Sequence, residues 1–407
     1  MKQISYKIAA ATLLLAAALL RVGAPAATLN GDTDPDRLWC KVTINGFPAR
    51  MQFDTGASEA VLFSNKLARF HLHFVSLPEA ERQRYPPIVS GKTEPCDLGL
   101  GNETNKAEFF VCNDPPEYLP AEDTGDGVVG WSNLRSNAIA LNVGTSGLTI
   151  LPHLPADIAG YIPFSIDTNA TVLTLTRTLN TKRGIRILVD TGASLGLRLP
   201  PAKWKQWKEA HPTQPVTVGA FWGQRGTEVS EQGWTDKYTI GPLIWSEIVC
   251  ICDRGVDEIY DARLGIDALK HLEILLDAQR GLAYLRQREP GRHLSRRHNR
   301  LGALFMPNPE SGALTAHVAS PSPAEEADIQ PGDRLTKINE LDTTRWLTDP
   351  GILPLGRFWQ QPAGTQLTLT LQRDEQTVTK TVTLKNILPP DAMSRPPSAH
   401  SSNHKDN

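Results

Sequence analysis

Asp54-Thr55-Gly56-Ala57-Ser58 occurs twice in this chain, the second time as Asp190-Thr191-Gly192-Ala193-Ser194. Each copy closes an apolar run, Met51-Gln52-Phe53 in the first and Ile187-Leu188-Val189 in the second. A buried strand that ends in an acid followed by Thr-Gly sets a carboxylate on a tight loop backed by apolar packing. One such stretch reads as an ordinary strand-to-turn junction. By chance, Asp-Thr-Gly turns up in roughly one chain in ten of this length. Two identical pentapeptides in matching contexts raise a different question, whether the chain around them repeats as well.

Working outward from the two acids, it does. Asp54 to Gly130 spans 76 positions and Asp190 to Gly265 spans 75. Beyond each glycine the apolar register holds, with Leu134 matching Leu269, Ile139 matching Ile274, and Leu141 matching Leu276. Gly147-Leu148 then matches Gly281-Leu282 with one residue of slippage. The pattern is an internal duplication of a β-rich lobe. In the first copy Cys40 to Ile44 alternates, Asn45-Gly46 is a strong hairpin signal, and the chain returns from Phe47 to Phe53. Ala60 to Phe70 continues as strand or helix. Pro86 to Leu100, with Gly91 and Gly99, reads either as a mobile hairpin over a cleft or as a surface loop. Glu108 to Cys112 is a strand. In the second copy Val172 to Leu179 and Ile185 to Val189 are strands. Pro200-Pro201 introduces a short helix over Ala202 to Ala210. Gly219 to Gly226 is a Gly-rich, aromatic loop, and Leu243 to Cys252 is a strand.

Length and composition bound the rest. At 407 residues two or three domains are expected. A formal net charge of −2 gives no global attraction to nucleic acid. Lys2 and Lys7 precede an apolar run of 13 residues, Ile8 to Leu20, followed by small residues at Ala24, Ala26 and Ala27. That run is short for a membrane span and reads as a signal peptide over residues 1–27; an uncleaved anchor is the alternative. The expected location is outside the cytoplasm, periplasmic or secreted, with no stable membrane span. Of five cysteines, Cys96 and Cys112 are the favoured pair for a disulfide in an oxidising compartment. Cys250-Ile251-Cys252 lacks a second ligand cluster and is poor for zinc, so no metal and no cofactor are expected.

With the duplication in view, the sequence resembles the aspartic peptidases of the pepsin and retropepsin clan. The resemblance rests on the two Asp-Thr-Gly loops and on the downstream strands Val128-Val129-Gly130 and Arg263-Leu264-Gly265. It implies a mostly β protein with two lobes, residues 28–155 and 156–289, facing each other across a cleft in one self-sufficient, monomeric catalytic unit. It assigns Asp54 and Asp190 as the catalytic acids, and Thr55, Gly56, Thr191 and Gly192 as the residues that brace their loops. Two carboxylates held about 3 Å apart cannot both ionise, the effect known from this family's acid pairs. One then takes a proton from water while the other donates to a carbonyl oxygen. Ala57 and Ala193 follow the glycines, as in retropepsins. The hydroxyl usual in pepsins, which would favour the ionised form, is missing on both sides. The expectation is a less acidic working pH than that of a gastric-type enzyme.

Six arginines crowd Arg286 to Arg300, and residues 290–300 read as a basic, solvated linker or as a contact to an anionic surface. Residues 301–388 form a separate small α+β unit. It has strands at Ala313 to Val318 and Arg334 to Asn339, a capped helix at Ser322 to Ala327, and a helix at Ile352 to Gln360. A closing hairpin runs over Gln366 to Arg373 and Thr377 to Leu384. Its Ser-Pro-Ala helix and Pro331-Gly332-Asp333-Arg334-Leu335 resemble bacterial PDZ domains. That implies capture of a peptide C-terminus by a backbone loop, Leu301-Gly302-Ala303-Leu304-Phe305, in place of the usual Gly-Leu-Gly-Phe. Asp328 and Glu340 stand where Gly is common. Residues 389–407 are polar and expected to be disordered. The function expected is an exported aspartic endopeptidase acting on peptide or protein substrates, with the PDZ-like domain recruiting or regulating them. A non-catalytic peptide-binding scaffold that keeps the same fold is the rival reading.

Overall fold

The computed structural model describes residues 27–34, 37–101, 103–114, 125–143, 147–179, 184–223, 226–288, 298–308 and 310–388. Nearly all of the segment expected to be a signal peptide, most of the expected basic linker and the polar tail lie outside the described residues. The chain is mostly β, built as a ten-stranded, a thirteen-stranded and a six-stranded sheet. One continuous core fills the two larger sheets and a second core fills the smallest.

The first acid is delivered by a hairpin. Asn45 and Gly46 both have positive φ, 50° and 80°, the geometry of a two-residue turn whose twist matches its strands. Arg37–Ile44 and Phe47–Asp54 pair around it, with Ile44 opposite Phe47 and Trp39 opposite Gln52. Phe47–Asp54 then pairs in parallel with Gly127–Gly130, setting Gly130 opposite Asp54. Around the second acid, Ile185–Val189 pairs in parallel with Ala262–Leu264, setting Val189 opposite Leu264. In both places the inner strand also pairs antiparallel with the short strand that follows the acid loop, Val61–Phe63 or Leu197–Leu199.

The thirteen-stranded sheet joins distant parts of the sequence. Ala138–Asn142 and Leu272–Asp277 pair antiparallel, with Ile139 opposite Leu276 and Leu141 opposite Ile274. Pro201–Ala210 is a helix, with Pro201 in its first turn and Trp204 and Trp207 buried and stacked at 4.8 Å.

Several sequence expectations are revised. Ala60 to Phe70 divides into the strand Val61–Phe63 and a 3₁₀ helix Ser64–Phe70. Pro86 to Leu100 is not a hairpin. Its strands Val89–Thr93 and Cys96–Leu100 pair with different neighbours, because each finds its apolar face matched elsewhere in the sheet. The loop expected at Gly219 to Gly226 is instead the end of a long hairpin of Val216–Gly223 with Gly226–Ile240. Ile352 to Gln360 holds only two short turns, Pro350–Ile352 and Gly356–Trp359.

Cys96 and Cys112 are free, as are the other three cysteines. The reason is topological. Four strands separate theirs in the sheet order. Cys96 joins the main core, and Cys112 a satellite cluster with Phe63, Leu77 and Val89. Burial pushes the Cys112 thiol up to about 12.

In the C-terminal unit Ser322 caps the helix Pro323–Glu326 by accepting from the Glu325 N–H at 3.2 Å. Only Leu301 and Gly302 of the expected carboxylate loop lie outside regular structure. Ala303, Leu304 and Phe305 belong to the strand Ala303–Asn308, with Ala303 and Phe305 in the core. Their alternation suits a half-buried strand rather than a loop.

Candidate active site

The two pentapeptides meet. Each glycine lies against the other copy's acid, so that a Cβ on Gly56 would stand 2.5 Å from Asp190 Cγ and one on Gly192 would stand 2.3 Å from Asp54 Cγ. Glycine is required here because no side chain fits between the loops. The carboxyls of Asp54 and Asp190 are within hydrogen-bond reach of one another.

The threonines tie the loops together reciprocally. The Thr55 N–H donates to Thr191 Oγ1 at 3.0 Å and the Thr191 N–H donates to Thr55 Oγ1 at 3.1 Å. Each hydroxyl then passes its own proton on, Thr55 to the Val189 carbonyl at 2.6 Å and Thr191 to the Phe53 carbonyl at 2.7 Å. Both threonines are fully buried. The four bonds therefore pair both threonine amides and the Val189 and Phe53 carbonyls within the protein.

The acids are held from their own loops in the same way. Asp54 Oδ1 accepts from the N–H groups of Gly56 and Ala57 at 2.7 and 3.1 Å, and Asp190 Oδ1 accepts from those of Gly192 and Ala193 at 2.9 and 3.0 Å. Burial, followed by the charge of Asp190 and the hydrogen bond with it, pushes the Asp54 carboxyl well above the usual range. The Gly56 N–H and the Arg263 cation pull in the opposite direction. A pair of this kind shares protons and titrates as a unit.

Three features escaped the sequence reading. Arg263 places a guanidinium nitrogen 3.3 Å from Asp190 Oδ2 and 3.5 Å from Asp253 Oδ2. In the sequence this residue counts only as part of the downstream strand Arg263-Leu264-Gly265, and the available signal is a charge where the first copy has Val128. It sets a cation on the Asp190 side, where Ala193 offers no hydroxyl.

The second feature is a pair of matching brackets behind the acids. The Arg50 N–H donates to Asp126 Oδ2 and the Arg186 N–H donates to Asp261 Oδ2, both at 2.9 Å. Each Arg lies four residues before an acid, and each of these Asp lies four residues before the downstream glycine. That double offset was legible but unused. Gln52 also crosses between the loops, donating to the Gly192 carbonyl at 3.3 Å.

The third feature is the hairpin at 216–240. Its Phe221 lies over the Arg198 guanidinium at 4.6 Å, and Arg198 shares Asp253 with Arg263. Glu228, opposite Phe221 in the hairpin, is close enough to act on the Arg263 charge.

The remaining predicted site residues lie elsewhere. Gly302, at φ 77°, has its Leu301–Gly302 amides capped by Asn299 Oδ1 at 2.9 and 3.2 Å. Ala303, Leu304 and Phe305 run away from it along their strand. Among the described residues no group of three or more His, Cys, Asp or Glu is placed to hold a metal ion. No described helix is long and apolar enough to cross a membrane. No protein-family model matches this sequence, and no curated protein matches it.

Proposed function

We propose that this chain is an exported aspartic endopeptidase with two duplicated lobes facing across a cleft and a C-terminal PDZ-like domain that recruits or regulates substrate. The observation that carries the reading is reciprocity at the acid pair. Each loop's threonine bonds the other loop, and each loop's glycine makes room for the other loop's carboxyl. The pairing of Ile139 with Leu276 and of Leu141 with Ile274 supports duplication in the same way. These are matching positions of the two copies, and each contacts its partner's counterpart, as a two-fold axis requires.

In the reaction one ionised carboxyl removes a proton from water as the oxygen adds to the peptide carbonyl carbon. The protonated carboxyl hands its proton to the carbonyl oxygen. Collapse of the resulting gem-diol with protonation of the amide nitrogen breaks the C–N bond and releases acid and amine. The site is partly buried and backed by amides, which strengthens charge stabilisation there. The PDZ-like role rests on the Pro331-to-Leu335 turn and strand and on the edge strand Ala303–Asn308.

The test is a mass-spectrometric cleavage profile of an unfolded protein and a peptide library by wild type, Asp54→Asn and Asp190→Asn. Wild-type cleavage is expected to fall by at least about a hundredfold in each variant. Retained cleavage in either variant would sink the acid-pair assignment. The rival reading, a peptide-binding scaffold without turnover, draws on a single observation, the Arg263 cation against Asp190. It requires a wild-type chain that binds peptides and leaves all of them uncut from pH 3 to 8.

A further inference from the structure

Arg263 makes the two halves of the acid pair unequal. The first copy has Val128 at the matching position, two residues before its glycine. Both acids keep the same two amide donors on Oδ1. Only Asp190 has, in addition, an ion-pair contact with a cationic side chain among the described residues, through Oδ2 at 3.3 Å.

The guanidinium is fixed from behind. It donates to the Gly255 carbonyl at 3.2 Å and contacts Asp253, which is itself only 2% exposed and shared with Arg198 at 3.2 Å. Charged groups face Arg263 from every element packed around it. They are Asp190 beyond Ile185–Val189, Asp54 at the end of its hairpin, Asp253 beyond Leu243–Cys252, Glu228 on Gly226–Ile240, and Arg198 on Leu197–Leu199. Burial opposes the Arg263 charge, yet Asp190, Asp253, Asp54 and Glu228 together keep its pKa above the usual value. The cation is therefore permanent across any working pH.

We propose that Arg263 is a positioning residue that assigns the shared proton, holding the negative charge on Asp190 so that Asp190 is the base toward water and Asp54 is the acid toward the peptide carbonyl. The proposal rests on the peptidase reading. Asp190 takes one proton from water while the new C–O bond forms. The carbonyl π pair moves to oxygen, which takes the proton of Asp54. In the second half Asp190 returns its proton to the amide nitrogen as the C–N bond breaks. A hydroxyl of the gem-diol reprotonates Asp54, restoring the starting state.

A cation beside the pair makes its deprotonated forms easier to reach, so both macroscopic steps lie lower with Arg263 than without it. In Arg263→Met both limbs of the pH profile of kcat/KM are expected to move alkaline by about one to two units. Arg263→Lys keeps the charge without the two-pronged geometry. Its limbs should stay near those of wild type while kcat falls. Arg263→Gln replaces the Met variant if that fails to fold.

A second readout needs no activity. In the full chain carrying ¹³Cγ-labelled aspartate, between the two titration steps, Asp54 should resonate as the protonated carboxyl and Asp190 as the ionised one. In Arg263→Met the two signals should converge. Unmoved limbs, or unchanged ¹³Cγ signals in a folded Arg263→Met, overturn the proposal. So does a gain of activity at the wild-type optimum with unmoved limbs, which would mark Arg263 as a block. If wild type cleaves nothing, the peptidase reading fails on the cleavage assay and the ¹³Cγ signals alone decide the proton assignment.

Discussion

At the scale of single residues, Thr55 and Thr191 show how little chemistry is needed to join two distant parts of a chain. Each hydroxyl accepts from one backbone amide and donates to one carbonyl, and all four partners belong to the opposite loop or its strand. Thr191→Val keeps the shape and removes the hydroxyl. It strands the Thr55 N–H and the Phe53 carbonyl in a dry site, where each unpaired group costs about 1–3 kcal/mol. A loss of about 3 kcal/mol in denaturant unfolding is expected, with Thr191→Ser recovering most of it. Equal losses in Val and Ser would place the effect in methyl packing instead. The same scale explains why Gly56 and Gly192 admit no substitute, since the space a Cβ needs is held by a carboxyl of the other copy.

At the scale of elements, each acid loop depends on a short strand that threads beside it. A glycine ends that strand or directly follows it because the chain beyond the acid passes directly over its Cα. A Cβ on Gly130 would stand 2.4 Å from the Glu59 carbonyl oxygen, and one on Gly265 would stand 1.8 Å from that of Leu195. Both are backbone atoms of the acid loops, which cannot step aside as the far end of a flexible side chain does. Gly265→Ala is therefore expected to destabilise the chain by about 3 kcal/mol, the upper range for overpacking. On the proposed peptidase reading, cleavage should fall further than stability does, because the displaced loop carries Asp190. An Ala variant with wild-type stability and turnover would refute the threading argument. The Arg50–Asp126 and Arg186–Asp261 brackets belong to the same element pairs, closing the parallel strands with backbone-to-carboxylate bonds.

At the scale of the whole molecule, the C-terminal unit is joined to the edge of the thirteen-stranded sheet by specific polar contacts. The Thr217 hydroxyl donates to the Asn299 carbonyl at 2.7 Å, and the Val216 N–H donates to the Pro321 carbonyl at 2.9 Å. The Asn299 side chain bonds both sides, giving its Nδ2 protons to the Val218 and Ala303 carbonyls at 3.1 and 2.8 Å. Its Oδ1 takes the Leu301 and Gly302 amides. The strand that leaves this joint, Val216–Gly223, carries Phe221 to the Arg198 side of the acid pair. Asn299→Ala is expected to cost about 2 kcal/mol through the groups it unpairs. It should also raise protease sensitivity and amide exchange between Val216 and Gly219 before the rest of the sheet. Exchange that rises everywhere equally would argue against a local joint.

The sequence by itself determined the mostly β character, the turn at Asn45-Gly46 and the matched spacing that singled out Asp54 and Asp190. Those features depend on neighbours along the chain or on a period that repeats within it, and both can be read from order alone. Only the tertiary structure decided that Cys96 and Cys112 stay apart, that Phe221 stacks on Arg198 and Glu228 faces Arg263, and that Arg263 reaches Asp190. Each of these depends on which strands become neighbours across the sheets. Strand pairing is governed by the burial of apolar faces far apart in sequence. A single arginine in an apolar strand, which local pattern reads as a blemish, acquires its meaning from the carboxylates that the fold sets around it.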